Sequence, residues 1–212
     1  MPTIEAYDTH GDSFARRYRN GARAPIERLK QAFGHRYPIL EIGIGGGIDM
    51  DRLLEAGYDS RGLEPAITLI DGAVKHFPRL KGRITQGALP LNGELLTRWH
   101  GHFRGILCSA VLMHLKEEEQ GVAIQNMYDL LRINGRLFLT VSATRDGLNE
   151  ERRDEYNRYY AELPYERVIA LADVVGFELV QAWHDDDQWH RRGLEWTSYV
   201  FEKKTNASSS TR

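Results

Sequence analysis

Between Ile39 and Tyr58 the chain reads ILEIGIGGGIDMDRLLEAGY, with a carboxylate at Glu41, glycines at 43, 45, 46 and 47, and a further acid at Asp49. Glycine in such a turn permits positive φ and lets a ligand touch bare backbone, while the amides that open the next helix attract an anionic group. A carboxylate just ahead of the turn disfavours a pyrophosphate and accepts hydrogen bonds from an ammonium group. Both features suit a zwitterionic amino-acid moiety. Glu64, about twenty residues further on, stands where a carboxylate accepts both hydroxyls of a ribose. The ligand that meets all three conditions pairs an amino acid with a nucleoside. The G-x-G-x-x-G spacing of a dinucleotide turn is not met, because its third position falls on Ile48 or Met50.

These residues need elements to hold them. PILEIG (38–43) is a short apolar strand, and Met50 to Ala56 has helical spacing that stops at Gly57. DSRGLE (59–64) is a second strand, Ile67 to His76 a helix ended by Pro78, and GRITQG (82–87) a third strand. A second series follows: a helix over 91–99, the strand FRGILCS (103–109), a helix over 117–131 and the strand GRLFLTVS (135–142). Such alternation predicts an α/β fold with a doubly wound, mostly parallel, seven-stranded Rossmann-like sheet. A helix over 165–175 precedes FELVQAW (177–183) and WTSYVFEK (196–203), too close for a crossover and so an antiparallel C-terminal hairpin at the sheet edge. Apolar spacing in 12–33, broken near Gly21 and Pro25, predicts two short helices. The expected organisation is a helical cap over 1–36, one domain over 37–203, and a Ser-rich, unstructured tail over 204–212.

Composition sets limits on partners. A length of 212 residues, 42% hydrophobic and 27% charged, is ordinary for one α/β domain, and a net charge of −2 offers no overall field toward nucleic acid or anionic lipid. The lone Cys108 forms no internal disulfide, and ILCSAVLMHL (106–115) is about half the length of a membrane span. A cytoplasmic monomer or homodimer is expected, with no nucleic-acid or membrane partner.

S-adenosylmethionine has the parts that the first turn and Glu64 require. EIGIGGG, GLEPA, ITQGALP, ILCSAVLMHL and LLRINGRLFLTVS, in this order, resemble the successive motifs of class I S-adenosylmethionine-dependent methyltransferases over about residues 35–145. GFELVQAW and the aromatic strand after it resemble the last hairpin of that fold. The resemblance implies that Glu41, Gly43, Gly45 and Gly47 hold the methionine part and that Glu64, followed by Pro65, holds the ribose. Ala88 and Leu89 then flank adenine, while Ser109 and Ala110 line the methyl-donor pocket or simply end a buried strand. Many relatives carry Asp where Ala88 and Arg104 stand, so adenine is expected on backbone amides and packing. Asp49 either helps hold the ammonium or complements the helix dipole. YDTHGDSFARRY (7–18) resembles a cap folded over the cofactor, in which Tyr7 and Tyr18 reach the carboxylate or, for Tyr18, pack in the core.

Methyl transfer from a sulfonium is an in-line displacement in which positioning supplies most of the acceleration. A base is needed only when the acceptor arrives protonated, and His114, after the fourth strand, is the candidate, unless it merely ends that strand. Tyr159 and Tyr160 in NRYYAELP, and His184, are candidate acceptor contacts, or in the tyrosines' case anchors for a helix. WHDDDQWHRRGLEW (183–196) lacks metal-ligand spacing and reads as a solvated turn, and ERRDEYNR (151–158) as a solvated helix face. The Asn-Pro-Pro-aromatic sequence of amino methylases acting on bases or protein amides is replaced by CSAVLMHL, so a small-molecule acceptor is expected. The competing readings are an NAD(P)-dependent oxidoreductase and a non-catalytic S-adenosylmethionine-binding module.

Overall fold

The structure, a computed structural model, describes residues 2–19, 25–34, 38–187 and 194–204. It opens with two helices, α1 (Pro2–Arg19) and α2 (Ile26–Phe33). Helix α1 begins ten residues ahead of the expected start at 12, because Ile4, Tyr7, Gly11, Phe14 and Tyr18 form one continuous face. Gly11 is where that face meets the next helical layer: a Cβ there would lie 2.3 Å from Thr68 Oγ1. The glycine marks a close approach rather than a break. The expected break at Gly21, the domain boundary at 36–37 and the tail from 205 onward lie outside the described residues.

The strands and helices then alternate as β1 (Pro38–Ile42), α3 (Ile48–Glu55), β2 (Asp59–Glu64), α4 (Ile67–His76), β3 (Ile84–Gln86), α5 (Gly93–Trp99), β4 (Phe103–Ser109), α6 (Glu117–Leu130), β5 (Leu131–Ser142), α7 (Tyr165–Val175), β6 (Phe177–Asp186) and β7 (Glu195–Lys203). They form one sheet in the order β3-β2-β1-β4-β5-β7-β6, parallel through β5 and antiparallel beyond it. The expected α/β sheet and terminal hairpin are present, with β7 inserted beside β5 and β6 left at the edge.

Period-two alternation sorts the strand side chains between two helical layers. Ile39, Leu107, Phe138 and Val200 pack with Leu29 and Phe33 of α2 and Leu53 of α3. Leu40, Ile106, Leu137, Leu139 and Tyr199 pack with Trp99 of α5, Ile124 and Met127 of α6 and Val168 of α7. Helix α1 lies against α4 through Phe14, Ala15, Ala66 and Leu69, with Thr68 Oγ1 donating to the Tyr7 carbonyl at 3.2 Å.

Strand β5 begins four residues earlier than expected and carries a register shift opposite Phe103 and Gly105, where Asn134 takes φ +61°. The winding of the sheet reverses between β1 and β4, and a crevice opens beyond their carboxyl ends at that point. No described helix is long and apolar enough to cross a membrane.

Candidate active site

A cavity of about 440 Å³ occupies this crevice, within the range of cofactor and substrate sites. One half is built on β1 and β2. Gly43, Gly45 and Gly47 all take positive φ, +73°, +51° and +77°, a conformation strained for any other residue. A Cβ at Gly43 would lie 2.4 Å from Val111 Cγ2, and one at Gly45 3.3 Å from the Tyr18 ring. Gly43, Gly45 and Gly46 line the cavity; Gly47 does not, and instead caps α3 against Ala73 and Leu80.

Glu64, 3% exposed, accepts the amides of Gly45 and Ala66, each at 3.1 Å and each on a different oxygen. The Gly45 amide is therefore directed at Glu64. Burial pushes the Glu64 carboxyl up to about 7, against the lowering effect of the two amides. Each oxygen keeps a further lone pair, so the ionised group can take one ribose hydroxyl on each side.

Glu41, buried on β1, and Asp49, buried in the first turn of α3, also line this half, together with Pro65, Ala88 and Leu89. Asp49 receives Arg52 Nη1 at 2.9 Å. Its place at the start of α3 suits the helix dipole, and its place at the cavity suits a ligand cation. With a glycine turn that excludes any Cβ, a buried carboxylate with two spare lone pairs, and the apolar Leu69 and Leu89 alongside, the residues fit an amino-acid nucleoside.

The other half is assembled from distant segments. Ser109 and Ala110 line it at the end of β4, and Ala110 takes φ +58°, a left-handed conformation for a residue with a Cβ. His114 lies in a 3-10 turn, Leu112–His114, just beyond. Its Nδ1–H donates to the Tyr159 carbonyl at 2.7 Å, which leaves Nε2 to accept the Tyr7 hydroxyl at 3.1 Å. The tautomer follows from the acceptor-only carbonyl. Tyr7 Oη in turn receives Tyr18 Oη at 3.4 Å and Arg158 Nη1 at 3.3 Å. Burial, reinforced by the charges of Arg158 and Arg145, pushes His114 down to about 4, so its ring is neutral at neutral pH. Burial also holds the Tyr7 hydroxyl well above the usual phenol range.

Behind this pair stands a cluster that the sequence reading placed in solvent. Residues 151–158 form no helix and are only partly solvated: Glu151, Glu155 and Asn157 are exposed, but Asp154 and Arg158 are buried, and Arg158 lines the cavity. Arg158 Nε and Nη2 reach Asp154 Oδ2 at 2.9 and 2.6 Å, and Asp154 Oδ1 accepts the amides of Tyr156 and Arg158. Desolvation raises the Asp154 carboxyl, yet the hydrogen bonds and charge of Arg158, with Arg145 adding to them, leave it below the usual carboxylate range. Arg145 lies 4.3 Å over the Tyr160 ring and donates to the Tyr160 hydroxyl at 2.7 Å.

Tyr160 and Tyr18 line the cavity, whereas Tyr159 contributes its carbonyl to His114 and turns its ring toward Arg153. His184 lies outside the cavity, exposed on the edge strand β6, bonded to Thr197 Oγ1 and beside the Tyr165 ring. Of the stretch expected as a solvated turn, residues 183–186 belong to β6 and 195–196 to β7, while 188–193 lie outside the described residues; Asp185, Asp187 and Trp196 line the cavity, with Trp196 Nε1 donating to Asp187 at 3.0 Å. Among the described residues no three His, Cys, Asp or Glu side chains converge as metal ligands, and His190 lies outside them.

Comparison with known proteins agrees with this architecture. No curated protein sequence matches the chain. Among solved structures, 1,6-didemethyltoxoflavin-N1-methyltransferase of Burkholderia thailandensis, with bound 1,6-didemethyltoxoflavin and S-adenosylhomocysteine, superposes with a TM-score of 0.76 at 19% identity, over 96% of this chain and 88% of that one. A TehB-like SAM-dependent methyltransferase of Corynebacterium glutamicum is 25% identical, with a TM-score of 0.68 over 92% and 99%. Phosphoethanolamine N-methyltransferase 2 of Haemonchus contortus, in complex with S-adenosyl-L-methionine, gives 0.65 at 17% identity, over 93% and 57%. The family described as "Methyltransferase domain" matches residues 14–207, a span that takes in the glycine turn, Glu64, His114 and the Asp154–Arg158 pair, and on that match the chain belongs to this family and is a class I S-adenosylmethionine-dependent methyltransferase.

Proposed function

We propose that this enzyme transfers a methyl group from S-adenosylmethionine to a small-molecule acceptor, mainly by positioning the two in one cavity. The observation that carries the reading is that a single cavity joins the glycine turn and Glu64 to a wall of His114, Tyr7, Tyr160 and Trp196. When bound, S-adenosylmethionine supplies an electrophilic methyl group on a sulfonium sulfur, open to in-line displacement.

The chain's own residues do the rest. Glu41, Gly43, Gly45, Gly46 and Asp49 surround the place of the methionine part, Glu64 receives the ribose hydroxyls, and Ala88 and Leu89 pack on the base. Ser109 and Ala110 border the place of transfer at the end of β4, and Tyr160 faces the acceptor. Enclosure removes water from the nucleophile, and orientation supplies most of the rate. His114, held neutral, is a weak base whose lone pair is reached through Tyr7. An acceptor proton therefore passes to Tyr7 Oη as the Tyr7 proton passes to His114 Nε2. With S-adenosylmethionine as its cation-bearing ligand, the carboxylate-lined floor also disfavours a pyrophosphate and hence NAD.

Calorimetric titration with S-adenosylhomocysteine and with NAD tests the assignment, alongside mass spectrometry of the purified protein for retained cofactor. Saturable binding of the first and none of the second is expected; the reverse pattern would refute it. Turnover of S-adenosylmethionine to S-adenosylhomocysteine with a metabolite extract separates an enzyme from a binding module.

A further inference from the structure

The loop after β5 places two guanidinium groups against one carboxylate at the cavity wall. Asp154 and Arg158 form a closed pair: Asp154 Oδ1 is filled by backbone amides, Oδ2 by Arg158 Nε and Nη2, and Arg158 Nη1 is divided between Tyr7 and Tyr18. The charge of Asp154 is thus met by Arg158. Arg145 has only a 3.4 Å contact to the same carboxylate and its bond to the Tyr160 hydroxyl, which together engage two of its five N–H groups among the described residues. Its side chain is 20% exposed, lines the cavity, and sits over the Tyr160 ring.

Among the described residues, none of the acids that line the cavity bonds to Arg145. Glu41, Asp49 and Glu64 belong to β1, α3 and β2, Asp185 is bound to Arg28 at 2.6 Å, Asp186 is exposed at the end of β6, and Asp187 takes the Trp196 N–H. His114, whose ring packs on Tyr160, is neutral. An excess cation facing a half-buried cavity that also takes a sulfonium is unfavourable until an anion joins it, and a planar guanidinium pairs best with a planar oxyanion.

We propose that the acceptor carries an anionic group that does not itself react, a carboxylate or an equivalent planar oxyanion, and that Arg145, oriented by Tyr160, binds it. This rests on the methyl-transfer reading above. The aromatic wall of Tyr7, Tyr160, His114 and Trp196 suits an acceptor with a flat ring beside that anion.

Benzoate and its neutral isostere benzamide test the point by calorimetry on the full chain saturated with S-adenosylhomocysteine. Benzoate is expected to bind about tenfold more tightly than benzamide, and Arg145→Gln to bring the ratio to within about twofold, with Arg145→Lys between the two. Affinity for S-adenosylhomocysteine stays unchanged in both variants. Equal binding of the two probes, no benzoate binding at about 10 mM, or a ratio untouched by Arg145→Gln overturns the proposal. So does a large loss of S-adenosylhomocysteine affinity in that variant, which would assign Arg145 to the methionine carboxylate. Failure of S-adenosylhomocysteine to bind the unaltered protein sinks the cofactor reading instead, so the two failures are distinguishable.

Discussion

Glu64, in one half of the cavity, and Asp154, behind the wall of the other, are both buried carboxylates, and they behave in opposite ways. Glu64 is met only by neutral backbone amides, and burial wins: its carboxyl rises to about 7. Asp154 is met by a guanidinium in direct contact and stays below the ordinary range. A counter-charge at hydrogen-bond distance, rather than depth, decides which acid is ionised. The first half can therefore change its charge when a ligand arrives, while the second keeps a fixed charge pattern for the ligand to match.

Removing the fixed charge is the most severe way to break this contrast. Asp154→Ala leaves Arg158 buried without its partner and is expected to cost about 3–5 kcal/mol, read as a fall in Tm, while Asp154→Asn costs less because it keeps the amide acceptor. Because the folded carboxyl lies below its unfolded value, the stabilisation is complete above about pH 4 and fades as pH falls through the lower folded value. A Tm that ignores Asp154→Ala would show that the cluster is not load-sharing.

Gly45→Val comes next. Its positive φ and the Tyr18 ring 3.3 Å from a Cβ leave no room for a branched side chain, so S-adenosylhomocysteine affinity should fall about a hundredfold in a protein whose circular dichroism is unchanged. Normal affinity in that folded variant would move the cofactor elsewhere.

Glu64 sharpens the contrast. Ribose hydroxyls donate to the ionised form, so affinity for S-adenosylhomocysteine should rise with pH up to about 7 and level off above it. In Glu64→Gln the rise should vanish and the plateau drop about tenfold. Tyr7→Phe should lower kcat by less than the loss of a conventional base, about tenfold or under, without an inflection near 6.5, since His114 already titrates near 4. The smallest effect belongs to the half-exposed Arg28–Asp185 pair, where Arg28→Ala should change stability by under about 1 kcal/mol.

Legibility followed the same division. The half built on β1 and β2 depends on residues that are neighbours in sequence: a strand, a glycine turn and a helix start within 38–55, with Glu64 closing the next strand. Local pattern and backbone freedom suffice to place them. Gly47 is the exception, since only the packing of α4 and Leu80 shows that it serves the helix junction rather than the ligand. The second half draws on Tyr7, His114, Arg145, Arg158 and Trp196, which no local period links. Charged residues in 151–158 look solvated when their partners are unseen, because a charge run carries no sign of whether its pairs are buried. His184 was misplaced for another reason: a register shift between Leu179 and Gln181 alters which face of β6 each later residue presents.

From the amino-acid order alone came the alternation of strands and helices, the sheet class, the glycine turn and the chemistry of a ligand that needs both a carboxylate and a ribose acceptor. These follow from hydrophobic periodicity and from glycine's lack of a Cβ, which act over a few residues. The charge of the wall around Arg145 and Arg158, the tautomer of His114 and the exclusion of His184 from the cavity were decided by tertiary structure. They depend on which polar groups burial brings together over long stretches of chain, and on the low dielectric that makes each pairing count.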